Sequence, residues 1–288
     1  MTKPVKIVTD STVYLPPEVI ARYNIRVVPI KVGFGTEVYS EGVNITSEEF
    51  YQRLVKSDIM PTTSQPPISD FTRVYTELAQ QGYPILSIHI SSKISGTINS
   101  AIAARKSLPQ AQIEIVDLQS IAMGLLVTPA AEAAEQGQTL AQLKASTEKL
   151  NACINVIGAL DTLDYLRRGG RIGGLKALVG TLLKIKPILT YEGGEPRLLA
   201  KVRTMPRAID YILRFVEKRT EGRTSIYGSI RHAHVLEAAL ALEKALRAHF
   251  NWAELDLLEM GPVYGTHLGP GTLGLGFYGD KDWQPDQL

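Results

Sequence analysis

Only one cysteine, Cys153, occurs in the 288 residues. An internal disulfide is therefore excluded, and the chain suits a reducing compartment. Cys153 lies in the apolar run CINVIGAL, where a small core residue is expected rather than a nucleophile. No apolar run reaches membrane-spanning length, and MTKPVKIVTDST moves straight into a strand pattern without a signal peptide, so a cytoplasmic protein is expected. A charge of one sign is missing too. The 31 basic and 29 acidic residues leave a net +2, which excludes a molecule built as a whole for nucleic acid. Neither GxxxxGK[ST] nor a GxGxxG after the first strand is present, and there is no GxSxG elbow. No group of His, Cys and acids has metal spacing; His232 and His234 stand only two apart on an expected strand-to-helix loop. No metal and no organic cofactor are expected.

The composition, 44% apolar and 21% charged, is that of a soluble globular protein, and the length exceeds one ordinary core. KIVTD, IRVVPIKV, ILSIHI and QIEIVD read as strands, with EVYSEGVNI as a hairpin or edge excursion. PPEVIARY is a helix with proline in its first turn, and SEEFYQRLVKS opens with a serine cap and acids. PISDFTRVYTELAQQG sets Phe71, Val74, Tyr75 and Leu78 at helical spacing and stops at Gly82. SGTINSAIAARKSL and segments beginning at Ser120 and Thr139 supply further helices. That alternation predicts a parallel sheet with helices on both faces. From CINVIGAL the pattern restarts with the helical DTLDYLRRGGRIGGLKALVGTLL and the strands KPILTYEGG and EPRLLAKVR, joined by a hairpin turn. Helices PRAIDYILRFVEKR and HVLEAALALEKALRAHF then flank the strand TSIYGSIR. The expected fold is α/β with two α/β domains, 1–160 and 161–288, the first holding a mostly parallel sheet flanked by helices. A ligand cleft between them is the natural expectation.

Three segments place hydroxyls, glycine or histidine where strands meet turns. PTTSQP, 61–66, precedes the helix near Pro67; hydroxyls there can cap it, though three in a row exceed what one cap needs. SSKISGTINSA, 91–101, follows ILSIHI at the carboxyl end of a parallel strand, where open α/β sheets bind ligands. Ser95 and the amides of Gly96 and Thr97 open a helix there and favour an anion. GPVYGTHLGPGTLGLGFYG, 261–279, holds seven glycines in nineteen positions around His267. It reads as an amide nest for a small anion, and equally as a tight turn before a final strand with His267 at the surface.

Ser95, His267 and Asp10 have the residue types of a hydrolytic triad, and residue type is all that joins them. Asp10 and Ser11 are also explained as caps of the PPEVIARY helix, His89 as a packed core histidine and His249 as a helix C-terminal partner. Between Asp161 and Arg207, ten basic residues face four acids. A solvated face accounts for such a run; an acidic partner or a phosphate-bearing ligand is the sharper reading.

Together VTDST followed by LPP, PTTSQP, SSKISGTINSA, LDYLRRGGRIGG and GPVYGTHLGPGTLGL resemble the DegV family of bacterial fatty-acid-binding proteins. The motifs come in the family's order and span nearly the whole chain. The resemblance implies a fatty acid held in an apolar tunnel between the two domains. It implies that Thr63, Ser95 and the Gly96 amide bind the carboxylate and that His267 stands beside the head group. Thr62, Ser64 and Arg171 are then candidate contacts of the head group or a partner. Thr62 stands where many relatives carry a lysine or another polar residue.

No catalytic residue and no cofactor beyond the bound lipid are implied. The resemblance implies a carrier, expected to be monomeric, that presents a long-chain fatty acid to a separate fatty acid kinase subunit, which phosphorylates the carboxylate from ATP to an acyl phosphate. Transient contact with a membrane surface is expected, and nucleic acid is not. Burying about 14 methylenes at roughly 0.8 kcal/mol each supplies on the order of 11 kcal/mol of gross driving force, less the lost ligand freedom. Two other readings stand beside it: a free-standing hydrolase or phosphotransferase using Ser95 and His267 on a small carboxylate, and a lipid sensor with a protein partner. The runs LKALVGTLL and SIAMGLLV are candidates for tunnel lining or for ordinary core.

Overall fold

A computed structural model describes residues 3–118, 121–178 and 185–280. Strand β1 (Lys6–Asp10) runs through a 3-10 turn (Ser11–Val13) to α1 (Pro17–Arg22), which starts on proline, and then to β2 (Arg26–Val28). IRVVPIKV is two strands, not one. Pro29 has no N–H to extend the ladder, and β3 (Lys31–Phe34) leaves for a separate antiparallel pairing with β4 (Glu37–Ser40). The cap of α2 (Ser47–Lys56) is Thr46, one residue ahead of the expected serine. Its hydroxyl accepts from Glu49 N at 3.2 Å, and Glu49 accepts from Thr46 N at 2.9 Å. PTTSQP is not a set of caps either: Thr62–Ser64 form β5, paired with β3, and α3 (Ile68–Gln80) begins without a side-chain cap.

The remaining elements of this half are β6 (Ile85–His89), α4 (Thr97–Lys106), β7 (Ile113–Asp117), α5 (Gly124–Glu135) and α6 (Leu140–Cys153). The helix start read at Ser120 lies outside the described residues. Strands β2-β1-β6-β7 form a fully parallel sheet. Helices α5 and α6 cover one face through Leu126, Val127, Leu143 and Leu150, and α3 and α4 cover the other through Phe71, Tyr75, Ala101 and Ala104. The buried face of α3 is Phe71, Val74, Tyr75 and Leu78, the helical spacing seen in the sequence.

The chain then builds a second sheet beginning with β8 (Asn155–Ala159). The long helix expected over DTLDYLRRGGRIGGLKALVGTLL is broken: α7 (Asp164–Arg168) ends at Gly169, Gly170 turns at φ 72°, and a 3-10 segment covers Gly173–Leu178. Residues 179–184, including most of the apolar LVGTLL and Lys184, lie outside the described residues. Then follow β9 (Lys186–Glu192), β10 (Glu195–Val202), α8 (Met205–Arg219), β11 (Ile226–His232), α9 (Leu236–His249), β12 (Trp252–Glu259), α10 (Pro262–Leu268) and β13 (Leu273–Gly279). The sheet order is β10-β9-β8-β13-β11-β12, with β11 and β12 parallel and the other pairs antiparallel. Helices α8 and α9 pack on its outer face through Ala208, Ile212, Val216, Leu242 and Leu246. The glycine-rich C-terminal segment is therefore a short helix and a central, fully buried strand rather than a nest of loop amides.

One buried carboxylate ties three of these segments together. Glu41, just past β4, accepts from Ser11 Oγ at 2.5 Å, Tyr14 Oη at 2.9 Å and the Val263 N–H of α10 at 2.7 Å. Ser11 thus holds Glu41, and accepts from Ile30 N at 3.0 Å, instead of capping α1. Asp10 does not cap α1 either. It accepts from Thr12 N at 3.1 Å and Ile90 N at 3.0 Å, and lies 3.1 Å from Nδ1 of the fully buried His89. His89 is more than packed: its Nε2 is 2.6 Å from Ser87 Oγ. His249 Nδ1 lies 2.8 Å from Ala245 O at the end of α9, and Cys153 is the half-buried last residue of α6.

Burial pushes the Glu41 carboxyl up to about 7, outweighing the donors that pull it down. The folded chain then holds this proton more tightly than the unfolded chain does. The contribution is complete below the unfolded value near 4.5 and is lost as pH rises through about 7. Between about pH 5 and pH 8, wild type should lose up to about 3 kcal/mol of stability relative to Glu41→Gln, read from urea midpoints at each pH. A gap between the two proteins that does not change with pH would contradict this.

Candidate functional site

Strand β5 sets Thr63 opposite Val32 of β3. Val32 is fully buried, so Thr63 on the same face points inward. Thr62 sits opposite Gly33 on the exposed side and does not line the cavity formed here, whereas Ser64 borders it. Helix α10 brings His267 to Thr63, with Nε2 2.7 Å from Thr63 Oγ1. The other ring nitrogen, Nδ1, is buried without a hydrogen-bond partner among the described residues. It rests on the backbone of Gly169, where a methyl group would collide with the ring. Burial and then the charge of Arg171 lower the His267 pKa to about 4, so the imidazole is neutral near pH 7.

The loop after β6 supplies the other wall. Ser95 Oγ accepts from Thr97 N at 3.2 Å and lies 2.9 Å from Thr97 Oγ1. Gly96 opens α4, and the Gln65 side chain occupies the place that a Cβ at 96 would need. Gln65 is held there by donating to Ser100 Oγ at 2.9 Å. Arg171, from the turn after α7, donates from Nε to Ile94 O at 3.0 Å and from Nη1 to Gly169 O at 2.6 Å. Its partial burial lowers its pKa, yet a guanidinium starts so high that it keeps its charge.

Thr63, Ser64, Ser95, Gly96, Arg171 and His267 thereby border one cavity. Its apolar walls are Ile30, Ile90, Ile94, Leu166 and Val263. Ile121, Tyr191, Tyr264 and Leu268 line both this cavity and a second, inner one. Val13, Leu160, Leu189 and Met260 bound the inner space, and its floor is bare sheet. Leu273, Leu275 and Phe277 of β13 pack into the outer core, which turns Gly274 and Gly276 toward the cavity, with Gly158 of β8 paired to Gly274. A methyl group on Gly276 would collide with Ala122. The space beside Gly276 is thus taken by Ala122, whereas Gly274 leaves its stretch of the cavity wall bare.

The outer cavity offers hydroxyls, an amide, a neutral imidazole and one guanidinium; the inner one offers hydrocarbon. Such a pair suits a molecule with a small anionic head and a long apolar tail. Asp10 lies with His89 and His267 with Thr63, so Ser95, His267 and Asp10 do not assemble as a triad. Gln65, Tyr191 and Tyr264 were not singled out from the sequence. Gln65 carried a signal as the neighbour of Thr63 in PTTSQP; the tyrosines become lining only where β9 and α10 meet. The basic run is partly neutralised: Arg167 and Arg168 each reach Asp164 at 2.6 Å, and Lys186 pairs with Asp161. Among the described residues no helix is long and apolar enough to cross a membrane, and no group of three metal-ligating side chains occurs.

A family model described as an uncharacterised protein of the DegV family matches residues 4–280. A DegV domain-containing protein of Halalkalibacterium halodurans is 36% identical over 286 residues, covering 98% of this chain and 100% of its own. A solved structure of a DegV family protein from Thermus thermophilus, described by its fatty acid binding, superposes with a TM-score of 0.90 at 36% identity, covering 96% of this chain and 99% of its own. A stearic acid-binding protein from Eubacterium ventriosum superposes with a TM-score of 0.88 at 27% identity, over 96% of this chain and 98% of its own. With the match spanning both sheets and every segment of the two cavities, this chain belongs to the DegV family.

Proposed function

We propose that this chain binds a long-chain fatty acid between an N-terminal domain built on the parallel sheet and a C-terminal domain built on the second sheet, and presents its carboxylate to a separate kinase. The second sheet begins at β8 (Asn155–Ala159), and so a few residues before the boundary expected at 160. The observation that carries the reading is the junction of the two cavities. A chamber with mostly uncharged donors adjoins, across Ile121, Tyr191, Tyr264 and Leu268, an apolar chamber floored by glycine. The carboxylate takes hydrogen bonds from Thr63, Ser95 and the Gly96 N–H beside the neutral His267, and the hydrocarbon fills the inner chamber. Fatty acid binding by the similar Thermus and Eubacterium proteins supports the same ligand class.

Neutral donors satisfy a carboxylate without locking it in an ion pair. Its oxygen stays available to attack the γ-phosphorus of ATP held by the kinase. The bond to the departing ADP breaks, and the acyl phosphate remains with Arg171 near the added charge. Arg167 and Arg168 on α7 are about half exposed, share a single carboxylate and form the docking face for an acidic kinase surface. The carrier acts in the cytoplasm as a monomer and touches the membrane surface only transiently, while exchanging lipid.

Native mass spectrometry of the gently purified protein should show a bound fatty acid; an empty protein that also fails to bind added fatty acid would sink the proposal. Thr63→Val and Ser95→Ala should each weaken fatty acid affinity about tenfold, measured by direct titration. A Cβ at Gly274 meets only ordinary contacts, the nearest at 3.6 Å. Gly274→Leu should therefore shorten the longest acyl chain bound and leave short chains unaffected. Charge reversal at Arg167 and Arg168 should reduce acyl phosphate formation with kinase and ATP at unchanged lipid affinity. Equal formation by the variant would remove the docking face.

A further inference from the structure

Within the mostly apolar inner cavity, Ser229 stands out by a hydroxyl unpartnered among the described residues. Ile226 and Ile230 of β11 pack under α8 and α9, which turns Ser229 to the cavity side, opposite Gly276 of β13. Ser229 is 3% exposed, and its hydroxyl has no hydrogen-bond partner among the described residues. Neighbouring polar groups on the same wall are already engaged. Arg231 donates to Asp256 Oδ1 at 2.7 Å and to Tyr14 O at 3.1 Å. Thr272 donates to Leu268 O at 3.0 Å, Thr12 to Asp10 Oδ1 at 2.6 Å and Tyr264 to Ile121 O at 3.1 Å. A hydroxyl buried without a partner carries a desolvation cost that alanine in its place would avoid. Gly276 beside it carries no side chain and is covered by Ala122, and Ser229, Ala122 and Gly276 border the same cavity, so the serine hydroxyl shares a wall with the space that a chain would fill.

We infer that Ser229 is a specificity-determining residue for the lipid tail: the inner cavity takes an acyl chain bearing a hydroxyl group part-way along, and Ser229 hydrogen-bonds that group. The inference rests on the fatty acid reading above and deepens it. A plain chain covers the Ser229 hydroxyl with methylenes and leaves it unpaired. A hydroxylated chain of the same length pairs it and keeps its own hydroxyl satisfied on leaving water. Discrimination by a site that hydrogen-bonds a ligand hydroxyl is sharper than discrimination by fit alone, because the analogue without the group leaves a buried polar atom unmatched.

The test uses lipid-stripped full-length protein titrated with octadecanoic acid and with its positional isomers hydroxylated at successive carbons. Wild type should bind one isomer, or a small set of adjacent ones, about fivefold to tenfold more tightly than the plain acid. Ser229→Ala should lose that preference and bind the plain acid at least as tightly as wild type does, which also reports that it is folded. Ser229→Thr, which keeps the hydroxyl, should retain the preference. The inference is overturned if the plain acid binds more tightly than every hydroxylated isomer, or if the preference survives in Ser229→Ala. Should none of these acids bind, the carrier reading itself fails, and the inference with it.

Discussion

The site depends on a buried acid, Glu41, that lines neither cavity. Glu41 holds the turn after β1, the end of β4 and the Val263 N–H of α10 on a single side chain. Those segments come from positions more than two hundred residues apart, and α10 is the element that carries His267. Together with Tyr14 Oη, which accepts from Tyr264 N at 3.2 Å, and Tyr264 Oη, which donates to Ile121 O at 3.1 Å, that joint holds a seven-residue helix, too short to be stable by itself, against its surroundings. The Thr63–His267 contact is thus a consequence of packing elsewhere. Burial of so many donors and a carboxylate in one place is costly unless each is matched, and here Ser11, Tyr14 and Val263 match it.

Separation of polar and apolar chemistry follows from the sheets. Two cores, one beneath α5 and α6 and one beneath α8 and α9, are packed in the ordinary way. Between them the second sheet turns its glycine face inward, so space remains where side chains would otherwise interlock. The hydroxyls of Thr63 and Ser95 lie at one end, because that is where β5 and the loop after β6 come together. A ligand held by such a device is oriented by its head and measured by its tail. Arg171 sits where charge can be met without an ion pair being buried at the bottom of the site.

Much of this was legible along the chain. The helical spacing of Phe71, Val74, Tyr75 and Leu78, the alternation of strands and helices, and the hydroxyls of PTTSQP and SSKISGTINSA required only local periodicity and turn chemistry. Element boundaries were less readable: Pro29 split a single apparent strand, Thr46 took the cap expected of Ser47, and Gly169 with Gly170 cut a long apparent helix. Glu41 gave no local sign of its burial. It looks like any acid after an edge strand, because its partners lie far off in sequence.

By itself the sequence determined an α/β chain with a parallel first sheet, and its resemblance to the DegV family marked Thr63, Ser95, Gly96, Arg171 and His267 as a set, since the motifs that carry the resemblance hold those residues. Tertiary structure alone decided that Thr63 turns inward while Thr62 turns out, that Asp10 belongs with His89, and that the last glycines floor a cavity. Each of these depends on which strand lies beside which, and strand order is fixed by burial across distant segments, a quantity with no local signature.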